Sequence, residues 1–239
     1  MNDNGGDRLY IVIPAYNEEE NIRQVIADWY PVVDNKSGDS RLVVVNDGSK
    51  DNTLKVLKDL QAYHPKLVVL DKENGGHGST ILCGYRYALE QGADYVFQTD
   101  SDGQTFASEF GAFWDERNRY DMLIGFRNHR EDGLSRVIVT KILKIVIRMC
   151  FHVSVTDANT PYRLMRASVL NEEIEMVPKD FFLSNVLITV LFTKHLRRIK
   201  YIPITFRPRQ GGVNSINLKR IFRIGKQSIK DFRELNRKI

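Results

Sequence analysis

The segment RLVVVN at 41–46 constrains the fold more than any other feature of the chain. Four consecutive apolar residues, mostly β-branched and without polar alternation, suit a strand buried on both faces. Such strands occur inside parallel sheets covered by helices on each side. The flanking sequence has the matching rhythm. Leu9–Pro14, Leu67–Asp71, Tyr95–Thr99 and Met122–Gly125 read as strands. Glu18–Trp29, Asp51–Tyr63 and Ser79–Glu90 read as helices. This alternation, with mostly short connections, predicts an α/β fold, doubly wound around a mostly parallel central sheet. Ligands of such folds bind at the carboxyl ends of the strands. After Arg127 the rhythm changes to a helix at about 135–150, the segment DANTPYRLMR, a helix near 181–193, a strand at about 198–206, and the loop RPRQGGVNS. Nothing rich in Pro, Gly or Ser marks a linker, so the 239 residues are read as one domain.

Composition narrows the class. A hydrophobic fraction of 42% with 27% charged residues excludes a disordered chain, and the absence of an internal period excludes a repeat array. Cys83 and Cys150 form no disulfide framework, which fits a reducing, cytoplasmic setting. The first twenty residues do not read as a signal peptide, because a short apolar run is followed directly by acids. The stretch 137–155 comes nearest to a membrane span. Lys141, Lys144 and Arg148 interrupt it, so the chain is read as not crossing a membrane, with contact against one left open. The net charge of +5 is concentrated at the C-terminus, where Ser215–Ile239 contains eight Lys or Arg against Asp231 and Glu234. Ile221, Phe222, Ile229, Phe232 and Leu235 recur there at helical spacing. Residues 216–239 are therefore predicted to form a basic amphipathic helix, either packed on the core or docked on an anionic membrane surface. No nucleic-acid partner is expected, since no helix-turn-helix, zinc or aromatic-platform pattern accompanies the charge.

Polar motifs occur where the predicted strands end. In YIVIPAYNEEENI (10–22) the strand stops at Pro14, and a polar turn opens a helix headed by Glu18, Glu19 and Glu20, acids suited to the positive helix end. In VVVNDGSKDNT (43–53) Asp47 is placed to project into the ligand crevice and accept hydrogen bonds from a base or ribose; Asp, Gly and Ser are also ordinary turn residues. In NGGHGSTILCGYRYAL (74–89) Gly75, Gly76 and Gly78 permit close backbone approach, and the following helix offers its N-terminus to an anion. No Gly-Lys-Ser/Thr follows, so this is not a Walker loop. His77 in that loop is a ligand contact or a plain loop histidine.

FQTDSDGQ (97–104) carries the strongest signal. An apolar strand delivers Asp100 and Asp102, with Gln104 two residues on. In a kinked loop alternate residues converge their oxygens, and two carboxylates with an amide oxygen suit Mg2+ or Mn2+. Such an ion keeps open positions for substrate phosphates. Arg127, Arg136, Arg207 and Arg209 in the second half add planar forks suited to phosphate.

PAYNEE, NDGSKDNT, NGGHG and DSDGQ, in this order and spacing, resemble family 2 glycosyltransferases of the GT-A fold across roughly residues 8–215. Within that family the chain looks most like the dolichol- or polyprenyl-phosphate mannosyltransferase branch. DSDGQ resembles its Asp-x-Asp-x-Gln, and ITFRPRQGGVNS resembles its loop ending in Arg-x-x-Gly-x-Ser-Lys. The resemblance implies a Rossmann-like nucleotide-diphospho-sugar transferase fold, with 8–127 binding the sugar nucleotide and 128–215 the acceptor. It implies that Pro14, Tyr16 and Glu18 line the nucleotide pocket, that Asp47 contacts base or ribose, and that Gly76, His77, Arg136 and Arg207 make further substrate contacts. Asp100, Asp102 and Gln104 are implied to hold the metal on the donor diphosphate, with Arg127 and Arg209 facing phosphates. The implied reaction is inverting: an acceptor oxygen attacks the anomeric carbon opposite the departing nucleoside diphosphate.

Three positions depart from the pattern. Asn214-Ser215 stands where the branch often has Ser-Lys, FFLSNVL (181–187) lacks a Glu common nearby, and His77 replaces a frequent Lys. Asp157 in TDANTPYR is left as the candidate general base, since 180–200 contains no carboxylate except Asp180. A sugar hydroxyl needs such a base. A polyprenyl phosphate is ionised at neutral pH and does not, so it is the expected acceptor, with the enzyme peripheral on the cytoplasmic membrane face. The competing expectations are a glycan hydroxyl acceptor, as in capsule, lipopolysaccharide or cell-wall polysaccharide synthesis, and a non-catalytic sugar-nucleotide-binding module.

Overall fold

The computed structural model describes residues 6–36, 38–127, 134–207, 231–232 and 234–236, and for Arg127 and 134–140 the backbone alone. The first half runs β1 (Leu9–Ala15), α1 (Ile22–Asp34), β2 (Arg41–Asp47), α2 (Thr53–Gln61), β3 (Leu67–Lys72), α3 (His77–Glu90), β4 (Tyr95–Gln98) and α4 (Phe110–Glu116). The second runs β5 (Met122–Arg127), α5 (Leu134–Phe151), β6 (Arg163–Arg166), α6 (Ala167–Ile174), α7 (Ser184–Lys194) and β7 (Ile199–Ile204). The strands form one sheet in the order β3-β2-β1-β4-β6-β5-β7. Every pairing is parallel except those of β6, which runs antiparallel to both β4 and β5.

The apolar run at 41–46 does what its composition requires. Leu42 and Val44 enter the core beneath α1 and α2, while Val43 and Val45 enter the core beneath α3 on the opposite face. All four are fully buried. Each such side chain contributes about 1.5–3 kcal/mol to folding, which pins β2 between β3 and β1 and fixes where its polar end emerges. On the α1 side an aromatic knot joins the two halves: Phe97 of β4 packs against Trp29 at 5.2 Å and Tyr162 at 4.7 Å between ring centres.

Two parts of the sequence reading need correction. The first helix starts at Ile22, not Glu18, because Asn17 takes a positive φ of 55° and the Glu18 carbonyl accepts the Asn21 and Ile22 amides in a turn. It then continues past Trp29 through Pro31 to Asp34, since Tyr30 and Val33 extend its buried face. The second correction is β6, which the strand pattern did not reveal. Its sequence, RLMR, begins with an arginine that is fully buried. A buried guanidinium is tolerable only when its donors are met. Arg163 gives Nε and Nη2 to the Thr160 carbonyl at 3.1 and 2.7 Å and Nη2 to the Ala158 carbonyl at 3.1 Å. Nη1 serves the Asn185 carbonyl at 3.0 Å and the Thr189 hydroxyl at 3.1 Å. A charge thus occupies a site that sequence patterning assigns to an apolar residue.

The described end of the C-terminal segment packs on the core. Phe232 is fully buried, 5.2 Å from Phe151 and 6.0 Å from Phe181 between ring centres, and Lys194 Nζ donates to Asn236 Oδ1 at 2.8 Å. The remainder of the predicted helix lies outside the described residues. Among the described residues no helix is long and apolar enough to cross a membrane.

Candidate functional site

β1, β2 and β4 are neighbours, so the loops leaving their carboxyl ends converge. A cavity of about 440 Å³ opens there. Pro14, Tyr16 and Glu18 line it from the first loop, Asp47 from the second, Gly76 and His77 from the third, and Asp100 and Asp102 from the fourth. Eight residues singled out in the sequence therefore share one cavity.

The first two loops are stitched together by their polar side chains. The Asn17 amide donates to Ser49 Oγ at 3.0 Å, and Asn17 Oδ1 accepts the Lys50 amide at 2.8 Å. The Glu18 amide donates to Thr53 Oγ1 at 2.8 Å, and Glu19 Oε2 accepts the Asn52 amide, also at 2.8 Å, at the start of α2. The acids of PAYNEE thus serve the neighbouring helix as much as their own.

Asp47 is 3% exposed and more committed than a crevice carboxylate awaiting a ligand. Lys72 Nζ lies 2.5 Å from its Oδ1, the Gly75 amide donates to Oδ1 at 2.8 Å, and the Gly76 amide to Oδ2 at 2.9 Å. Burial alone would raise its pKa. The Lys72 contact, the Gly75 amide and the Thr80 hydroxyl outweigh burial, so the net shift is downward. Asp47 is held ionised, and it holds the NGG loop in place. Lys72 was not singled out in the sequence. The parallel register that sets Asp47 beside Lys72 is the signal that locates it.

The glycines divide their work. Gly76 takes a φ of 83° to start α3 at His77, two residues earlier than expected. Gly78 does not approach a ligand: a β-carbon there would lie 2.1 Å from the Phe181 carbonyl oxygen, so this glycine lets α3 pack on the second half.

The DSDGQ loop is built on a closed base. The Thr99 and Thr105 hydroxyls are 2.7 Å apart, and Asp102 Oδ1 accepts the Gln104 amide at 3.1 Å. Asp100 Oδ1 is buried without a hydrogen-bond partner and stands 3.9 Å from His77 Nε2. Burial pushes the Asp100 carboxyl up to about 6; His77 opposes the shift and the charge on Asp102 adds to it. An unpartnered acceptor beside a second carboxylate suits a hard cation. Among the described residues no group of three His, Cys, Asp or Glu side chains encloses such an ion, so substrate oxygens would complete its shell.

The other predicted residues have different placements. Gln104 does not line the cavity; its Nε2 donates to the Arg207 carbonyl at 3.2 Å. Arg207 does not line it either. Its guanidinium pairs with Asp28 of α1 at 3.0 Å and covers the Phe106 ring at 4.4 Å, clipping the chain after β7 to α1. Asp157 is spent locally: its Oδ1 accepts the Asn159 amide at 3.1 Å and the Thr160 amide at 3.2 Å. Arg127 ends β5, and Arg136 lies in the first turn of α5, with their side chains outside the described structure; Arg209 lies outside the described residues. Ala15, Asn74, Thr80 and Ser101 also line the cavity and were not foreseen. Asn74 has a visible task, since its Nδ2 donates to the Asp47 carbonyl at 2.8 Å.

The model of the family described as "Glycosyl transferase family 2" matches residues 10–174. The chain belongs to that family. Among curated relatives, an undecaprenyl-phosphate 4-deoxy-4-formamido-L-arabinose transferase of Edwardsiella ictaluri is 24% identical over 90% of this chain and 64% of its own length. An undecaprenyl-phosphate mannosyltransferase of Micrococcus luteus is 25% identical over 88% of each chain. A UDP-N-acetylglucosamine–dolichyl-phosphate N-acetylglucosaminyltransferase of Methanococcus voltae is 33% identical over 40% of this chain and 41% of its own. The chain thus spans less than two thirds of the first and third of these proteins. Among solved structures, glucosyl-3-phosphoglycerate synthase of Mycobacterium tuberculosis with phosphoglyceric acid superposes with a TM-score of 0.66 at 20% identity, covering 96% of this chain and 80% of that one. The same enzyme with Mn2+, UDP-glucose and glycerol 3-phosphate gives 0.65 at 18% identity, with the same coverage. The fold is GT-A, as the order of motifs implied.

Proposed function

We propose that this chain is an inverting, divalent-cation-dependent glycosyltransferase that moves a sugar from a nucleoside-diphosphate sugar to a polyprenyl phosphate. The observation that carries the reading is the cavity at the ends of β1, β2 and β4, where an ionised Asp47 faces the Asp100–Asp102 pair across a space of about 440 Å³. The names of the Micrococcus and Edwardsiella relatives support the acceptor class.

In this reading residues 8–127 take the donor and 128–215 the acceptor. Pro14, Tyr16 and Glu18 form the wall against which the nucleotide lies. Asp47 keeps one role toward the nucleotide and one toward the NGG loop, which it fixes through the Gly75 and Gly76 amides. Asp100 and Asp102 would hold Mg2+ or Mn2+, and the ion would supply positive charge to the leaving diphosphate; Gln104, turned to the Arg207 carbonyl, takes no part in this reading. His77 faces the same region from the first turn of α3, where a helix N-terminus favours anions. Arg127 and Arg209 are assigned to donor and acceptor phosphates. A phosphate oxygen of the acceptor forms the new bond to the anomeric carbon as the bond to the diphosphate breaks. No proton has to move, so Asp157 can remain in its loop.

The test is a donor screen of the purified protein with UDP-, GDP- and dTDP-sugars, with Mg2+ or Mn2+, reading released nucleoside diphosphate. Polyprenyl phosphate and glycan acceptors are supplied in parallel. The expected result is transfer to polyprenyl phosphate that disappears in Asp102→Ala. Transfer only to hydroxyl acceptors refutes the acceptor assignment. Donor binding without turnover under any condition refutes catalysis.

A further inference from the structure

Gln98 occupies a strand position that packing alone would give to an apolar residue. Val96 of β4 lies in the core beneath α3, and alternate residues of a strand share a face. Gln98 therefore enters that same core, and Asp100 follows at the next alternation. Gln98 and Tyr85 of α3 are fully buried, and Asn185 in the first turn of α7 is nearly so. The Tyr85 hydroxyl donates to Gln98 Oε1 at 2.8 Å and stands 3.4 Å from Asn185 Oδ1. Burial raises the Tyr85 pKa, so the hydroxyl keeps its proton. One hydrogen cannot serve two acceptors. Turning the Asn185 amide end for end sets its otherwise unpartnered Nδ2 against the hydroxyl oxygen and removes the conflict. Asn185 is itself anchored, because its carbonyl accepts Arg163 Nη1 at 3.0 Å. The polarity of the chain is then fixed. Asn185 donates to Tyr85, Tyr85 donates to Gln98, and Gln98 Nε2 is left as a buried donor without a partner. The Gln98 amide favours the ionised form of the Asp100 carboxyl, whose Oδ1 is also buried without a partner. The reverse polarity would turn the Gln98 oxygen, a second acceptor, toward that carboxylate.

We propose that Gln98 and Tyr85 are positioning residues for the cation site, with the Gln98 amide fixing the Asp100 carboxylate and the Tyr85 hydroxyl fixing Gln98 from the Asn185 anchor in the second half of the chain. A buried amide with an unmet donor is costly and needs a reason. Orienting a metal ligand from outside its coordination sphere is such a reason. Serial hydrogen bonds of one polarity also reinforce one another in a low-dielectric interior. The inference rests on the reading of Asp100 and Asp102 as cation ligands.

The test is a Mn2+ titration of the purified full chain followed by EPR, alone and with UDP or GDP, beside thermal melts of the same samples. No sugar transfer is measured. Tyr85→Phe and Gln98→Met should each weaken Mn2+ binding about tenfold. The double variant should bind no more weakly than Gln98→Met alone, because Tyr85 acts only through Gln98. Ile81→Val, a small loss from the same core, should lower Tm and leave Mn2+ affinity unchanged. Wild-type affinity in Tyr85→Phe and Gln98→Met overturns the proposal. So do additive losses in the double variant, or an equal loss of Mn2+ affinity in Ile81→Val, which would make the effect one of stability. Failure of the reading beneath it has a different signature: the wild type binds no Mn2+, or Asp100→Asn binds it as well as the wild type.

Discussion

Replacing Lys72 by Met tests whether the donor side of the cavity is preorganised by the Asp47 carboxylate. The Lys72 side chain is 23% exposed and that of Asp47 only 5%, with 2.5 Å between Nζ and Oδ1. Removing one partner of a fully buried pair costs about 3–5 kcal/mol, and a hydrogen bond to a charged group contributes about 1.5–3 kcal/mol. Partial exposure of Lys72 screens the pair, and the Gly75 and Gly76 amides remain as donors, so a loss of about 2 kcal/mol is expected. For a chain of this size that is about 4–8 °C in Tm. The pH dependence separates this cause from lost packing. In the folded protein the Asp47 pKa is depressed, so its contribution is present above the ordinary carboxylate pKa and disappears as pH falls through the folded value. Without Lys72 burial weighs more heavily and the carboxyl rises. The variant's deficit should therefore be full near neutrality and shrink in acid, as Asp47 is neutralised in both proteins. Thermal melts across acid and neutral pH, with nucleotide binding by calorimetry, provide the measurement. A deficit that is absent at neutral pH, or that does not change with pH, refutes the argument.

Three further outcomes follow from the same geometry. Asp100, with its pKa raised to about 6 by burial, should exchange its proton for the metal: Mn2+ affinity falls as pH drops below that value and levels off above it, and a flat profile between acid and neutral pH rejects Asp100 as a ligand. Without metal the sign for folding is opposite to that of Asp47, because a raised carboxyl pKa makes the fold less stable as pH rises from the ordinary carboxylate value toward about 6. Gly78→Ala places a β-carbon against the Phe181 carbonyl and should cost about 1–3 kcal/mol by overpacking, seen as a lower Tm; a neutral effect means that α3 and the 181–182 segment are not packed as described. Arg207→Ala should lower stability through the lost Asp28 and Phe106 contacts while leaving nucleotide affinity unchanged, whereas a selective loss of nucleotide affinity would restore Arg207 to the substrate site.

Six of the seven strands were visible in the sequence, because each carries a run of apolar residues. β1, β2 and β4 carry buried runs ending in polar turns, so both their existence and the place where their ends meet could be read directly. β6 could not, because Arg163 reverses the usual link between charge and exposure, and the carbonyls that make this possible come from 158–160 and from Asn185 in α7. The cavity shows the same division. Residues named by their motif lie in it, whereas Lys72, Asn74 and Thr80 act through a neighbour and became visible only once register and loop geometry were known. Arg207 was misplaced for a related reason: a basic residue in a glycine-containing loop suits a phosphate, but Asp28 is nearer.

The commitments of the acidic groups bear on which acceptor the cavity can activate. Of its lining carboxylates, Asp47 is held ionised by Lys72 and the NGG amides, and Asp100 and Asp102 suit a cation. Glu18 Oε2 accepts the Asn21 side-chain amide at 2.8 Å. Asp157, the base expected from the sequence, closes its own turn. A hydroxyl acceptor must give up a proton as it attacks, and each of these groups would have to abandon a structural or cation-binding task to receive it. An ionised phosphate makes no such demand. The commitments of the lining carboxylates therefore agree with the acceptor class proposed above, and His77 is the lining group left to take a proton if the acceptor is a hydroxyl.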